Sequence, residues 1–124
     1  MKPETPSNEL LRLVNATRNS LKGYRTVWRD EAAFRTQVVV LIVATPLAWW
    51  LADSWFQFGL MLGFWIAVMA AELGNSAIEA AIDRIGPEHH DLSGKAKDAG
   101  SAMVMTLMLL TGLIWLFVLL DRFA

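Results

Sequence analysis

Residues 56–86 read FQFGLMLGFWIAVMAAELGNSAIEAAIDRIG. The first half, through Ala70, is apolar and contributes most of the roughly 20 helical residues that a bilayer crossing needs. The second half keeps a helical pattern but carries Glu72, Asn75, Ser76, Glu79 and Asp83. At about 100° per residue, with Glu72 at zero, Glu79 falls near −20°, Asp83 near +20°, Ser76 near +40° and Asn75 near −60°. All five share one stripe, and Leu73, Ala77, Ile78, Ala81 and Ile85 occupy other faces. Like charges stacked at this spacing repel, so the stripe calls for cations, from Lys and Arg or from metal ions. Polar residues on a membrane helix often serve only as glue between helices. A run of carboxylates at a membrane edge is costly enough to point to function instead.

Outward from this stretch, the whole chain has a membrane composition. It has 124 residues, 55% of them hydrophobic, with six Trp, and its mean hydropathy is +0.38. A single soluble domain of this length could not hide so much apolar surface. The absence of Cys excludes disulfides and thiolate metal sites. A net charge of −1 gives no reason to expect a nucleic-acid partner. MKPETPSNEL lacks the apolar core of a signal peptide, so the first span is expected to do the targeting.

One all-α membrane domain is expected over residues 1–124. Residues 1–7, with Pro3, Pro6 and Ser7, are expected to fray. From 8 to 29, Leu10, Leu13, Val14, Thr17, Leu21, Tyr24 and Trp28 recur on one face among basic residues, the pattern of a helix lying on a membrane surface. Spans follow at 36–52, interrupted by Pro46, at 55–73, continuing as a helix to about 85, and at 99–120. GPEHHDLSGKAKD, residues 86–98, reads as a polar connector. Lys2, Arg12, Arg18, Lys22, Arg25, Arg29 and Arg35 precede the first span, and Arg84, Lys95 and Lys97 sit between the second and third. The 53–54 turn has no basic residue and the tail only Arg122. This asymmetry puts the N-terminus and the 84–98 connector in the cytoplasm and the C-terminus on the opposite side.

Glu72 falls at the cytoplasmic edge of its span. Partial desolvation and acidic neighbours make its charged form costly, which suits a general base at headgroup depth. Glu79, further out and better hydrated, suits a hard cation such as Mg2+. WRDEAAFR, residues 28–35, places Glu31 at the same edge beside Arg29 and Arg35. GKAKDAGS, residues 94–101, offers Lys97 as a cation for phosphate, with Asp98 to hold it. No P-loop pattern is present, and His89 and His90 have no partners at zinc spacing.

Together WRDEAAFR (28–35), ELGNSAIEAAIDRIG (72–86) and LSGKAKDAGSA (92–102) resemble the bacterial membrane-integral diacylglycerol kinases, over about residues 8 to 120. The resemblance implies a homotrimer with three spans and a surface helix per chain in the bacterial inner membrane. The implied reaction moves the γ-phosphate of ATP, bound with Mg2+, to diacylglycerol to give phosphatidic acid. It implies Glu72 as the base and Glu31 and Glu79 as the metal ligands. Nucleotide contacts would come from Arg12, Glu31, Glu79, Glu88, His89, His90, Lys97 and Asp98. Asn75 and Asp83 would be supporting polar residues, and Arg35, Glu72, Ser101 and Trp115 would border the lipid. Gly74 and Asn19 depart from the family pattern, where an aliphatic and an aromatic residue are usual; Gly74 is expected to loosen its helix by up to about 1 kcal/mol. The alternatives are an undecaprenol kinase of the same fold and, in a different class, a small oligomeric transporter or channel using Glu72 as a proton-coupled site.

Overall fold

The computed structural model describes residues 6–124, with side chains from residue 8 onward. Lys2 and the expected fraying of residues 1–5 lie outside the described residues, but Pro6 and Ser7 already belong to a helix. Among the described residues the chain is four helices: α1 (Pro6–Asp30), α2 (Ala32–Leu51), α3 (Trp55–Ile85) and α4 (Asp91–Phe123). The all-α class read from the sequence is the one observed, and α2, α3 and α4 are each long and apolar enough to cross a membrane.

Only α1 is strongly amphipathic. Its apolar face, with Leu10, Leu13, Val14, Leu21, Tyr24 and Trp28, is largely exposed. Pro6 at its first position fits a helix start, where a backbone N–H would have no partner. The helix breaks at Glu31, whose backbone is extended. Arg35 closes that break: its Nη1 donates to the Trp28 and Arg29 carbonyls at 2.6 and 3.0 Å. These are carbonyls that the end of α1 would otherwise leave unpaired.

Pro46 lies inside α2 and removes one backbone donor there. The α2–α3 turn is set by Ser54, whose Oγ accepts from the Gln57 N–H at 3.1 Å, while Gln57 Oε1 accepts from the Asp53 N–H at 2.9 Å. This reciprocal pair starts α3 in the manner of a capping box.

With 31 residues, α3 is about 46 Å long, well beyond the roughly 30 Å of hydrocarbon it must cross. Measured from Trp55, the bilayer is used up within a turn of Glu72. Gly86 ends α3 with φ 152°, a conformation that favours glycine, and the Glu88 carboxylate folds against it so closely that a Cβ would collide. The connector is shorter than the sequence indicated. It covers residues 86–90, and DLSGKAKD forms the opening turns of α4. His90 starts the helix by accepting the Leu92 N–H on Nδ1 at 3.1 Å.

The α3–α4 pair makes the most extensive packing, α2 lies against α3, and α1 touches the others lightly. The α3–α4 register is antiparallel: Lys97 meets Asp83, Gly100 meets Asn75 and Ile78, and Met103 meets Gly74. Further along, Val104 joins Val68 and Ala71, and Trp115 reaches Met61.

Candidate functional site

The polar end of the bundle gathers where α3 leaves its apolar half. Glu72, Asn75 and Ser76 are buried on α3, and Gln37 is buried on α2. Gln37 Nε2 donates to Glu72 Oε2 at 3.1 Å. Trp65, two turns before Glu72, donates from Nε1 to the Gln37 carbonyl at 2.9 Å and ties α2 to α3 at this level. Asn75 Nδ2 donates to Glu79 Oε1 at 3.3 Å, one turn further out. Gln37 Oε1, Asn75 Oδ1 and Ser76 Oγ are buried without a hydrogen-bond partner. Buried polar atoms are nearly always paired, so three without a partner in one patch single it out as the candidate site.

Outside the span, Lys97 Nζ bonds Asp83 Oδ1 at 2.9 Å across α3 and α4. The hydrogen bond to Asp83 and then its charge hold the Lys97 ammonium above the usual lysine range, with a smaller pull from Glu79. Asp83, not Asp98, is therefore the partner of Lys97. Adjacent residues on a helix point about 100° apart, so Lys97 and Asp98 cannot share a face, whereas Asp83 lies directly opposite.

Glu31, half-buried at the α1–α2 break, opens onto a cleft of about 530 Å3 between α1 and the polar half of α3; Tyr24, Val27, Ser76 and Ala80 also line it. The two arginines beside Glu31 are engaged elsewhere. Arg29 forks onto Asp30 at 2.8 and 3.2 Å, and Arg35 holds the α1 carbonyls. The two arginines that stand beside Glu31 in the sequence therefore direct their guanidinium groups to other acceptors at the helix break. Among the described residues no three His, Asp or Glu side chains gather closely enough to hold a metal ion by themselves.

Other sequence candidates are spread out. Arg12 is exposed and bonded to Glu9 at 3.1 Å, about 28 Å along α1 from Glu31. His90 serves as the α4 cap, and His89 lies 3.3 Å from Asp91. Ser101 is exposed on α4. Trp115 is about 21 Å further along the same helix, donating to the Met61 carbonyl at 3.3 Å. It lines an apolar groove of about 480 Å3 with Val40, Leu47, Trp65 and Met108. One chain therefore brings together Gln37, Glu72, Asn75, Ser76 and Glu79, and separately Asp83 with Lys97, but not Arg12 or Trp115.

The family model described as prokaryotic diacylglycerol kinase matches residues 18–119. The chain belongs to that family. It is 41% identical over 106 residues to a diacylglycerol kinase of Haemophilus influenzae, covering 86% of this chain and 90% of the relative. Over 112 residues it is 41% identical to the diacylglycerol kinase of Escherichia coli K12, covering 90% and 92% of the two chains. It is 40% identical over 112 residues to that of Pseudomonas aeruginosa, covering 90% and 91%. Family membership makes it a membrane lipid kinase. With three membrane-capable helices and bacterial relatives, it is a multi-pass protein of the bacterial inner membrane.

Within this kinase fold, Gln37 is the site residue that sequence reasoning missed. Its signal was available: an amide inside the apolar run QVVVLIVATP is expensive in a bilayer unless it faces a polar partner.

Proposed function

We propose that this chain is an ATP-dependent kinase that converts diacylglycerol to phosphatidic acid at the cytoplasmic face of the membrane. The observation that carries the reading is Glu72: a carboxylate buried at the level where α3 runs out of bilayer, held by Gln37 and next to unpaired polar atoms. A base at that depth meets the hydroxyl of a lipid whose acyl chains stay in the membrane. In this reading Glu72 takes the hydroxyl proton, the lipid oxygen bonds to the γ-phosphorus, and the bond from that phosphorus to ADP breaks.

The donor set suits Mg2+, because Glu31 and Glu79 offer hard carboxylate oxygens and fewer than a closed protein cage would need. Phosphate oxygens and water would supply the remaining ligands. When bound, the ion neutralises charge on the phosphates. Lys97, positioned by Asp83, would face the γ-phosphate, and Asp98, Arg12, Glu88, His89 and His90 would make further nucleotide contacts. Arg35, Ser101 and Trp115 would border the lipid. A homotrimer whose sites draw residues from neighbouring copies would allow Arg12 and Glu31, far apart within one chain, to serve one nucleotide. The distribution of Lys and Arg supports a cytoplasmic N-terminus and connector and a C-terminus across the membrane.

Labelled ATP supplied to the purified protein tests the reading. Label is expected to enter diacylglycerol in preference to undecaprenol, and Glu72→Gln is expected to remove at least about a hundred-fold of that rate. Label entering undecaprenol alone would replace the lipid substrate. Label entering neither would favour a transporter or channel.

A further inference from the structure

Gln37 is the only amide side chain of α2. It is gripped twice from α3, by Trp65 at its backbone carbonyl and through its own Nε2 by Glu72. Trp65 and Glu72 are two turns apart on one stripe of α3, so both bonds fix the same point of α2. The bond engages one carboxylate oxygen of Glu72, Oε2. Gln37 Oε1 is buried and has no donor, which is costly at membrane depth. A group able to supply that donor is already in contact. When Glu72 accepts a proton, it changes from an acceptor into an O–H donor. A terminal amide matches both states. Its NH2 donates to the carboxylate, and after a half-turn of the last torsion its oxygen accepts from the acid.

We infer that Gln37 is a positioning residue that holds Glu72 both before and after it takes the lipid proton. The inference rests on Glu72 as the base. In the step it supports, the lipid O–H bond breaks, its proton passes to Glu72, and the lipid oxygen bonds to phosphorus as ADP departs. Gln37 itself gains and loses no atom.

The test uses the full chain in lipid–detergent micelles, with Gln37→Met, which matches the length without polarity, and Gln37→Asn, which stays polar but falls short of Glu72. With saturating lipid, kcat is expected to fall about ten- to a hundred-fold, as for a lost hydrogen bond to a charged group. KM for ATP should stay within about two-fold, separating positioning from nucleotide binding. The solvent deuterium effect on kcat should grow, a response that loss of packing alone would not produce. A variant that assembles like the parent and keeps kcat within about two-fold overturns the inference. So does a fall in kcat without a larger isotope effect. If neither variant assembles, the bond is a structural one and the inference is wrong. Glu72→Gln separates the two layers: if it retains activity the base assignment fails, and if it is inactive while both Gln37 variants are normal only the role of Gln37 fails.

Discussion

The three long helices close on each other in two different ways at their two ends. At the α2–α3 turn, Ala48, Leu51, Met61 and Val118 are buried against Phe58, Ile114 and Trp115. Trp49 packs edge-on against Trp55 and Phe58, with centroids 5.0 and 5.6 Å apart, and Arg122 reaches back to Asp53 at 3.3 Å. At the other end the same helices close on Gln37, Glu72, Asn75 and Ser76, with three polar atoms left unpaired. Inside a bilayer, lipid tails are as apolar as Leu, so helices associate through shape and hydrogen bonds and not by expelling water. The turn end uses shape and anchors the bundle. The polar end instead buries a carboxylate and its polar neighbours, three of whose atoms have no partner among the described residues.

Gly100→Ala puts the greatest strain on this contrast. A Cβ at residue 100 would collide with Asn75 Oδ1 and sit 3.5 Å from Ile78 Cδ1. Either Asn75 turns away from Glu79 or α3 and α4 separate. We expect a stability loss of about 1–3 kcal/mol in thermal unfolding, as for other overpacked cores. Because misplacement near the reacting groups is costly, phosphate transfer should drop by about ten-fold or more. Activity near the parent level would mean that Asn75 does not need its present position.

Met61→Ala addresses the opposite end. Met61 is fully buried, and truncating such a side chain typically costs about 2–5 kcal/mol, with the low end expected here because the hydrophobic transfer share is missing in lipid. The melting temperature should fall while kcat, measured below the new melting point, stays within about two-fold of the parent. A matching loss of kcat would show that the two ends are coupled, and that the anchor also tunes the site.

Asp83→Asn should act on nucleotide handling and hardly on stability. The Asp83–Lys97 pair is well exposed, and exposed ion pairs contribute little to folding. Lys97 is raised above 10.5 in the folded chain, so the contribution of the pair is complete below that value and is lost only as pH rises through the higher folded one. Between about pH 7 and 9, KM for ATP should therefore show no step from Lys97. With the carboxylate gone, Lys97 is no longer pinned, and KM for ATP should rise several-fold at unchanged melting temperature. An unchanged KM would remove Lys97 from the γ-phosphate.

The two ends were also unequally legible in the sequence. The spans, the Trp residues at the turn and the polar stripe from Glu72 to Asp83 follow from local pattern, and the helices observed carry them. The partners across helices do not follow from it. Asp98 stood next to Lys97 in sequence, but the antiparallel register of α3 and α4 gave that place to Asp83. Arg29 and Arg35 flanked Glu31 on paper, yet the break at Glu31 drew one to Asp30 and the other to the α1 carbonyls. The polar connector expected over 86–98 is helical from residue 91, because polarity does not exclude helix and these residues are the solvated start of α4. Gln37 was missed because a single polar residue in an apolar run carries no periodicity.

Gly74 gives the smallest effect and the sharpest question, because it lies between the two kinds of packing. It departs from the aliphatic residue expected in the family, and a glycine within a helix costs up to about 1 kcal/mol relative to Ala. A Cβ there would meet only Met103 Cε at 3.6 Å, an ordinary contact. Space is therefore not the reason for glycine. Gly74→Ala should raise the unfolding temperature slightly, by an increment worth about 0.5–1 kcal/mol, without strain. If turnover is also unchanged, α3 needs no flexibility between Glu72 and Glu79. If stability rises while turnover falls, the link between the proposed base Glu72 and the proposed metal ligand Glu79 works through bending of α3 at Gly74, and the polar end trades helix stiffness for that bend.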